Sequence, residues 1–232
     1  MALDQSTRKT LEGVSTATIT TVLVKKGIRR SWMQGPRPIA AQPARIVGEA
    51  FTMRFVPARE DLATPEAWSS PRSSRAAIEA MPAGVVVVID ARGELGAGTF
   101  GDILAARMKV RGVAAVVSDG AVRDHAGVAA TGLNLWGAGA AAPPSVAMLH
   151  FAGWQETIGC GGICVEPGDV IVADGDGAVC ISAKHVAEVA SAGAEQEKLE
   201  AWIAREVEKG AALPGLYPPD AANKARYEKE RE

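Results

Sequence analysis

Apolar positions follow two different patterns along this chain. In the central third they run without interruption. Val85–Asp90 (VVVVID) and Val113–Val117 (VAAVV) are continuous, β-branched stretches of the kind found in strands covered on both faces. Between them, Asp102–Arg111 (DILAARMKVR) has apolar residues at helical spacing, reached through the glycine-rich stretch 92–101 (RGELGAGTFG). Strand, helix and strand at this spacing make a βαβ unit, and the segment 118–124 (SDGAVRD) leads into a further short helix. The chain is therefore expected to be α/β with a mixed sheet.

The flanks are punctuated differently. Residues 7–27 predict one helix, with Gly27 as its C-cap after Lys25 and Lys26, although β-branched residues weaken its intrinsic preference. Residues 46–56 alternate in part and predict a strand. A polar excursion follows over 57–75, broken by Pro57, Pro65 and Pro71. Ser70-Pro71 then predicts a helix start, with the end near Met81-Pro82. Beyond the centre, Leu133–Trp136, Ser145–Phe151, Gly162–Val165 and Val170–Ser182 read as short strands parted by Gly, Pro and Asp. From Lys184 the chain carries 18 of its 52 charges in its last 49 residues, beginning as a long helix over 184–210. Val186, Val189, Leu199, Ile203 and Val207 stud that helix irregularly, so it and the charged, Pro-interrupted tail 211–232 are expected to pack on a neighbouring subunit.

Composition narrows the class. With 232 residues, 47% apolar and 22% charged, the chain suits one large globular domain, residues 1–210, followed by the tail. Lys and Arg number 25 against 27 Asp and Glu, and with no basic patch standing out, nucleic acid is not an expected partner. The cysteines Cys160, Cys164 and Cys180 fit neither a disulfide framework nor a zinc spacing, and no signal-peptide pattern opens the chain, so a cytoplasmic setting is expected. The uncharged run Ala126–Gln155 could span a bilayer by length. Its Pro143-Pro144, Asn134, His150 and glycines point to strands and turns instead, so no membrane partner is expected.

Candidate chemistry concentrates at the carboxyl ends of the two continuous strands, the edge where α/β proteins hold ligands. There, Phe100-Gly101-Asp102-Ile103-Leu104 opens a helix whose first-turn amides (Asp102, Ile103, Leu104) suit a carboxylate or phosphate. The second strand delivers Arg123 and Asp124, which could grip an anion bidentately and hold a hard cation. A bland alternative stands beside this: Asp102 as an N-cap, and Arg123–Asp124 as a surface ion pair. Other motifs carry less. The glycines of 92–101 do not spell GxGxxG, and Asp174-Gly175-Asp176-Gly177 lacks the closing ligands of a calcium loop and reads as a hairpin turn. His125 could shuttle protons beside Arg123–Asp124 or be plain polar surface. His150 and His185 lack metal or triad partners, Cys160 reads as a small buried residue, and there is no Gly-x-Ser-x-Gly.

The segment 101–124 (GDILAARMKVRGVAAVVSDGAVRD) resembles the family that unites the regulator of ribonuclease activity A (RraA-like proteins) with the divalent-metal 4-hydroxy-4-methyl-2-oxoglutarate aldolases. That family's aldolases carry an Asp, twenty intervening residues and then Arg-Asp, matched here by Asp102 and Arg123-Asp124. The likeness extends through 158–182 (IGCGGICVEPGDVIVADGDGAVCIS) and covers roughly residues 14–210. It implies a three-layer α/β/α swivelling-domain (phosphohistidine-domain-like) fold, assembled as a homotrimer or dimer of trimers with sites between subunits. It also implies a class II-type pyruvate aldolase, a metal-dependent lyase cleaving a 4-hydroxy-2-oxo acid to pyruvate, with oxaloacetate decarboxylation as a side activity. In that scheme the backbone of Gly101–Leu104 (Gly101, Asp102, Ile103, Leu104) binds the substrate carboxylate and Arg123 contacts the 2-oxo group. Asp124 ligates Mg²⁺ or Mn²⁺ partly through waters, Asp102 orients a catalytic water, and Glu197 or Glu200 reaches a neighbour's metal. The family also leaves two alternatives, a regulator inhibiting an RNA-processing enzyme and a dehydratase of a 3-deoxy-2-oxo sugar acid; the intact Asp102 and Arg123-Asp124 set favours the lyase. The excursion 57–75 and the tail depart from the aldolase pattern, which bears on the substrate, since loops near a site set specificity.

Overall fold

The computed structural model describes residues 3–39 and 45–231. Two helices open the chain, α1 (Gln5–Glu12) and α2 (Thr16–Lys25), where the sequence pattern suggests one. Gly13 and Ser15 break it: the Ser15 side chain accepts from Thr18 N and caps α2, while Val14 between them is buried. The pair Gly-x-Ser is a stop followed by a start, a signal obscured by the helical spacing on either side.

Next come β1 (Arg37–Pro38), β2 (Ile46–Pro57), α3 (Ser74–Ala80), β3 (Val86–Asp90), α4 (Asp102–Val110), β4 (Ala115–Ser118), β5 (Ala121–Val122) and α5 (His125–Ala130). The excursion 57–75 holds a 3-10 turn, Pro65–Ser69, and α3 begins at Ser74 under a Ser73 cap rather than at Ser70-Pro71. The second half contributes β6 (Asn134–Gly137), β7 (Gly139–Ala140), β8 (Leu149–Trp154), β9 (Ile158–Cys160), β10 (Ile163–Val165), β11 (Val170–Asp174) and β12 (Gly177–Ile181). It ends in α6 (Val186–Glu208) and α7 (Ala221–Glu230).

The main sheet is mixed, in the order β1-β6-β4-β3-β2-β11-β12, and its centre β6-β4-β3-β2 is parallel. β2 is the spine. Its first residues pair with β11, its middle with β3, and its end with β8, across a register shift between Arg54 and Phe55. The uncharged run 126–155 is thereby spent on α5, β6, β7 and β8, and among the described residues no helix is long and apolar enough to cross a membrane.

The core divides by sheet face. Phe51, Met53, Val87, Ile89 and Val116 meet Ile78 of α3 and Met108 of α4 on one face. On the other, Val86, Val88, Val117 and Trp136 are covered by Ile158 and Ile163 of the β9–β10 ribbon and by β11–β12. A third cluster joins α1, α2 and α6 to β11 and β12, with Gly193 of α6 letting the helices close: a Cβ there would lie 2.6 Å from Val14. Four of the five apolar residues expected to face a neighbouring subunit are covered from within the chain, and Val207 is 40% exposed. Val186 and Val189 belong to this third cluster, and Ile203 packs with Trp202, Leu216 and Tyr227 of the tail. The tail is pinned further by Trp202 Nε1 donating to Glu230 (2.6 Å), by Arg226 stacked 4.9 Å over the Trp202 ring, and by the buried Glu206 paired with Arg226.

Candidate functional site

The site is assembled where the segment after β3 runs beside the segment after β4. Thr99 N donates to Ala121 O (2.9 Å) and Arg123 N to Phe100 O (2.9 Å), so residues 98–100 and 121–123 travel together. Gly98 makes this possible, since a Cβ there would overlap Arg123 N and lie 2.9 Å from the Val122 carbonyl carbon. The two chains then diverge into α4 and α5, whose N-termini sit side by side. Gly127 in α5 leaves space for Asp102, because a Cβ there would come within 2.8 Å of Asp102 Oδ2.

Gly101, not Asp102, is the N-cap of α4. Asp102 is the first helical residue, and its Oδ1 accepts from Ile103 N (2.7 Å). One of the three first-turn amides is thus taken from inside, and the amides of Asp102 and Leu104 find no acceptor among the described residues. Asp124 precedes α5 in the left-handed region (φ 53°, ψ 41°) yet does not cap that helix with its side chain. This conformation costs an Asp on the order of 1 kcal/mol. What it achieves is direction: the carboxylate lies over Gly101, where a Cβ would overlap Oδ2, and 3.2 Å from Arg123 Nε. That nitrogen is nevertheless buried without an aligned hydrogen-bond acceptor, although the two charges are near. An orphaned guanidinium nitrogen costs desolvation and is a natural contact for a ligand oxygen.

These groups line one cleft of about 290 Å³, together with Pro144 and Ser145. Its opposite wall comes from the excursion and α3: Trp68, Ser74 and Arg75, with the Arg75 guanidinium 4.9 Å from the Trp68 ring centroid. The sequence reading missed these wall residues. The available signal was a lone Trp in an otherwise polar stretch, and nothing local ties it to a cleft formed some thirty residues later.

Elsewhere the candidates take structural roles. Asp174–Gly177 is a hairpin turn closing β11 on β12, with Asp174 paired to Gly177. The Asp174 carboxylate accepts from Thr16 N (2.9 Å) and Thr16 Oγ1 (2.6 Å) at the start of α2. Burial works against its charge, yet these bonds and Arg45 hold its carboxyl below the ordinary range. Cys160 is buried and burial pushes its thiol well up, so it is inert, while Cys180 is buried and Cys164 exposed. His125 opens α5 on the surface outside the cleft lining, and His185 lies just before α6. Asp119, buried at the end of β4, accepts from Ala91 N (2.7 Å) and Gly161 N (3.2 Å), and burial raises its carboxyl. Glu197 Oε1 accepts from Ser15 N (2.8 Å), and Glu200 accepts from Gln196 Nε2 (2.7 Å).

Among the described residues, no group of three His, Cys, Asp or Glu side chains converges as a metal shell. The cleft itself offers a cation two carboxylates, Asp102 and Asp124. That donor set fits a hard divalent ion that keeps several waters.

Comparison with known proteins places this geometry. A family model described as RraA-like, Aldolase/RraA, matches residues 16–180. A protein of Halalkalibacterium halodurans, provisionally named a 4-hydroxy-4-methyl-2-oxoglutarate aldolase, is 36% identical over 107 residues, 46% of this chain and 50% of its own. The chain spans about half or less of the length of the curated relatives it matches. Among solved structures, Streptomyces coelicolor RraAS2, titled an unusual member of the RNase ES inhibitor RraA protein family, is 32% identical with a TM-score of 0.78, covering 87% of this chain and 97% of that one. An uncharacterized protein of Pseudomonas syringae pv. tomato, 24% identical, shares the fold with a TM-score of 0.80 over 94% of this chain and 99% of its own. The match spans most of the chain, including every residue of the cleft from Trp68 to Ser145, and this chain belongs to the RraA-like family.

Proposed function

We propose that the cleft is the active site of a divalent-metal-dependent lyase that cleaves a 4-hydroxy-2-oxo acid to pyruvate and a carbonyl product. One observation carries this: Asp102, Arg123 and Asp124 converge with the unpaired amides of α4 on a single cleft, and Arg123 Nε is buried there without a hydrogen-bond partner. We assign the fold behind it to the swivelling-domain type implied by the family, a reading supported by α3, α4 and α5 lying on one face of the mixed sheet.

In this scheme the substrate carboxylate takes the amides of Asp102 and Leu104, where the helix N-terminus favours negative charge. The Arg123 guanidinium meets the 2-oxo oxygen. Asp102 holds a water that takes the C4 hydroxyl proton; the C4–O bond becomes a carbonyl, and the C3–C4 pair flows onto the 2-oxo oxygen as the enolate of pyruvate. Stabilising that oxyanion is worth several kcal/mol, and Arg123 provides a fixed charge for it. Protonation at C3 releases pyruvate. Asp124, and Asp102 through a water, would hold Mg²⁺ or Mn²⁺, which would supply Lewis acidity to the developing enolate. The same enolate chemistry would decarboxylate oxaloacetate.

The proposed assembly is a homotrimer or a dimer of trimers. It is supported by Ile103 and Val110 on α4, 80% and 75% exposed at and beyond the cleft rim. With Glu197 engaged by the Ser15 amide, Glu200 is the freer of the two carboxylates to complete a partner subunit's site. The likeness to the Streptomyces member of the RNase ES inhibitor family favours one rival, a regulator that inhibits an RNA-processing enzyme. Pyruvate release from oxaloacetate and from 4-hydroxy-4-methyl-2-oxoglutarate, with Mg²⁺ and then with EDTA, separates the two. Metal-dependent pyruvate is expected, whereas inert protein that binds and inhibits a ribonuclease would favour the regulator.

A further inference from the structure

We infer that the cleft continues into a second chamber that holds the tail of an elongated substrate, a hydroxylated chain ending in an anionic group. The inference rests on the lyase assignment only for where the reacting carbons lie. The chamber, of about 200 Å³, shares Trp68, Ser74 and Ser145 with the cleft, so the two volumes meet at those side chains. It has room for several waters or a short polar chain.

Its chemistry differs from that of the cleft. Arg72 and His150 line it along with Ser70 and Ser73, and no carboxylate does. Ser70 and Ser73 are partly engaged, accepting from Arg72 N (3.1 Å) and Ala76 N (3.2 Å). Among the described residues, neither the Arg72 guanidinium nor the His150 imidazole has a partner within the chain. An apolar tail would leave these donors unmatched, and a cationic tail would meet Arg72 head on. Hydroxyls matched to Ser74 and Ser145, followed by a terminal anion at Arg72 and His150, satisfy the polar part of the lining, while Val146, Leu149 and Phe151 leave room for the carbon backbone of the chain. The cleft wall points the same way: Arg75 over Trp68 adds a second cation at the junction, while the only carboxylates, Asp102 and Asp124, stay at the reacting end.

The site belongs to the excursion 57–75 and to the segment 145–152, not to the Asp102–Asp124 motif. It would therefore set specificity without touching the reacting atoms, which makes it separable by experiment. The probes are 2-dehydro-3-deoxygluconate and its 6-phosphate, both 4-hydroxy-2-oxo acids with a hydroxylated tail, set against the short substrate oxaloacetate. The variants are Arg72→Ala, on an exposed residue, and His150→Ala. The preference for the 6-phosphate over oxaloacetate, as a ratio of kcat/KM, is expected to fall at least tenfold in each variant, through KM. A smaller loss is expected with the unphosphorylated acid, and equal loss with both acids would refute the terminal-anion site. A parent that handles the long acids no better than oxaloacetate, or variants whose ratio stays within twofold of the parent, overturns the inference. If oxaloacetate is not turned over, the lyase assignment fails by itself. Calorimetric binding of the two sugar acids to parent and variants then still decides the chamber: binding weakened tenfold by Arg72→Ala upholds it, and equal or absent binding refutes it.

Discussion

Replacing Gly101 with Ala should disable the site while sparing the fold. The backbone there is extended (φ −126°, ψ −167°), which any residue adopts, so no conformational strain is introduced. The added Cβ would overlap Asp124 Oδ2 and come to 3.1 Å from Arg123 Cγ. To restore ordinary contact the carboxylate must retreat by roughly 1 Å. It can do so, because Asp124 is 44% exposed and only the tip of its side chain is struck. Ala at an N-cap also forfeits a little helix stability, so about 1 kcal/mol of folding free energy is expected to be lost. The catalytic effect is larger: a displacement of about 1 Å at a reacting group costs roughly a hundredfold, or about 2.7 kcal/mol. Gly98→Ala is the contrasting case. Its Cβ meets the backbone of Val122 and Arg123, which cannot swing aside, so about 1–3 kcal/mol of stability should be lost. Steady-state pyruvate release and thermal melting of the two variants decide the matter. Gly101→Ala with activity within threefold of the parent would mean that the Asp124 position over Gly101 has no part in turnover.

Three further outcomes are expected. Arg123→Lys keeps the charge but loses the planar fork, so activity should fall by roughly two orders of magnitude with the melting temperature unchanged; near-parental turnover would reduce Arg123 to an ion-pair partner. Asp174 has a native carboxyl held below its unfolded value of roughly 3.9, so its stabilisation is present above that pH and is lost as pH falls toward the lower native value. Urea midpoints of the parent should therefore drop more steeply between pH 5 and 3 than those of Asp174→Asn, and parallel slopes would remove Asp174 as the α2 anchor. Trp202 is 2% exposed beneath the tail, and Trp202→Ala should cost about 3 kcal/mol, a fall in melting temperature of about 6–12 °C; an unchanged melt would show that the tail does not dock on α6.

What the chain reveals by itself depends on whether the cause is local. The strand around Val86–Asp90, helix Asp102–Val110 and strand Ala115–Ser118 stand within two residues of expectation, because continuous β-branched runs and helical spacing are properties of neighbouring residues. The turn at Gly175-Asp176 is legible for the same reason. Helix α7 is not: its one buried residue is Tyr227, so no apolar stripe announces it, and its docking depends on Trp202 and Leu216 elsewhere in the chain. The motif residues Asp102, Arg123 and Asp124 could be picked out from their places after the two continuous strands, and the family resemblance gave them their expected roles. Their convergence, the left-handed turn that aims Asp124 and the wall of Trp68 and Arg75 arise from packing between distant segments. The separate roles of Glu197 and Glu200 likewise appear only when α6 lies against Ser15.

The central claim is that Asp124 holds a divalent ion beside a bound 2-oxo acid. Mn²⁺ titrated into the protein with and without oxalate, a short dianion resembling the pyruvate enolate, tests it directly by electron paramagnetic resonance. In the parent, Mn²⁺ should bind weakly alone and at least tenfold more tightly with oxalate. In Asp124→Ala, folded as judged by its melt, that oxalate-dependent binding should vanish. Equal Mn²⁺ binding by parent and Asp124→Ala in the presence of oxalate would place the ion elsewhere and contradict the account.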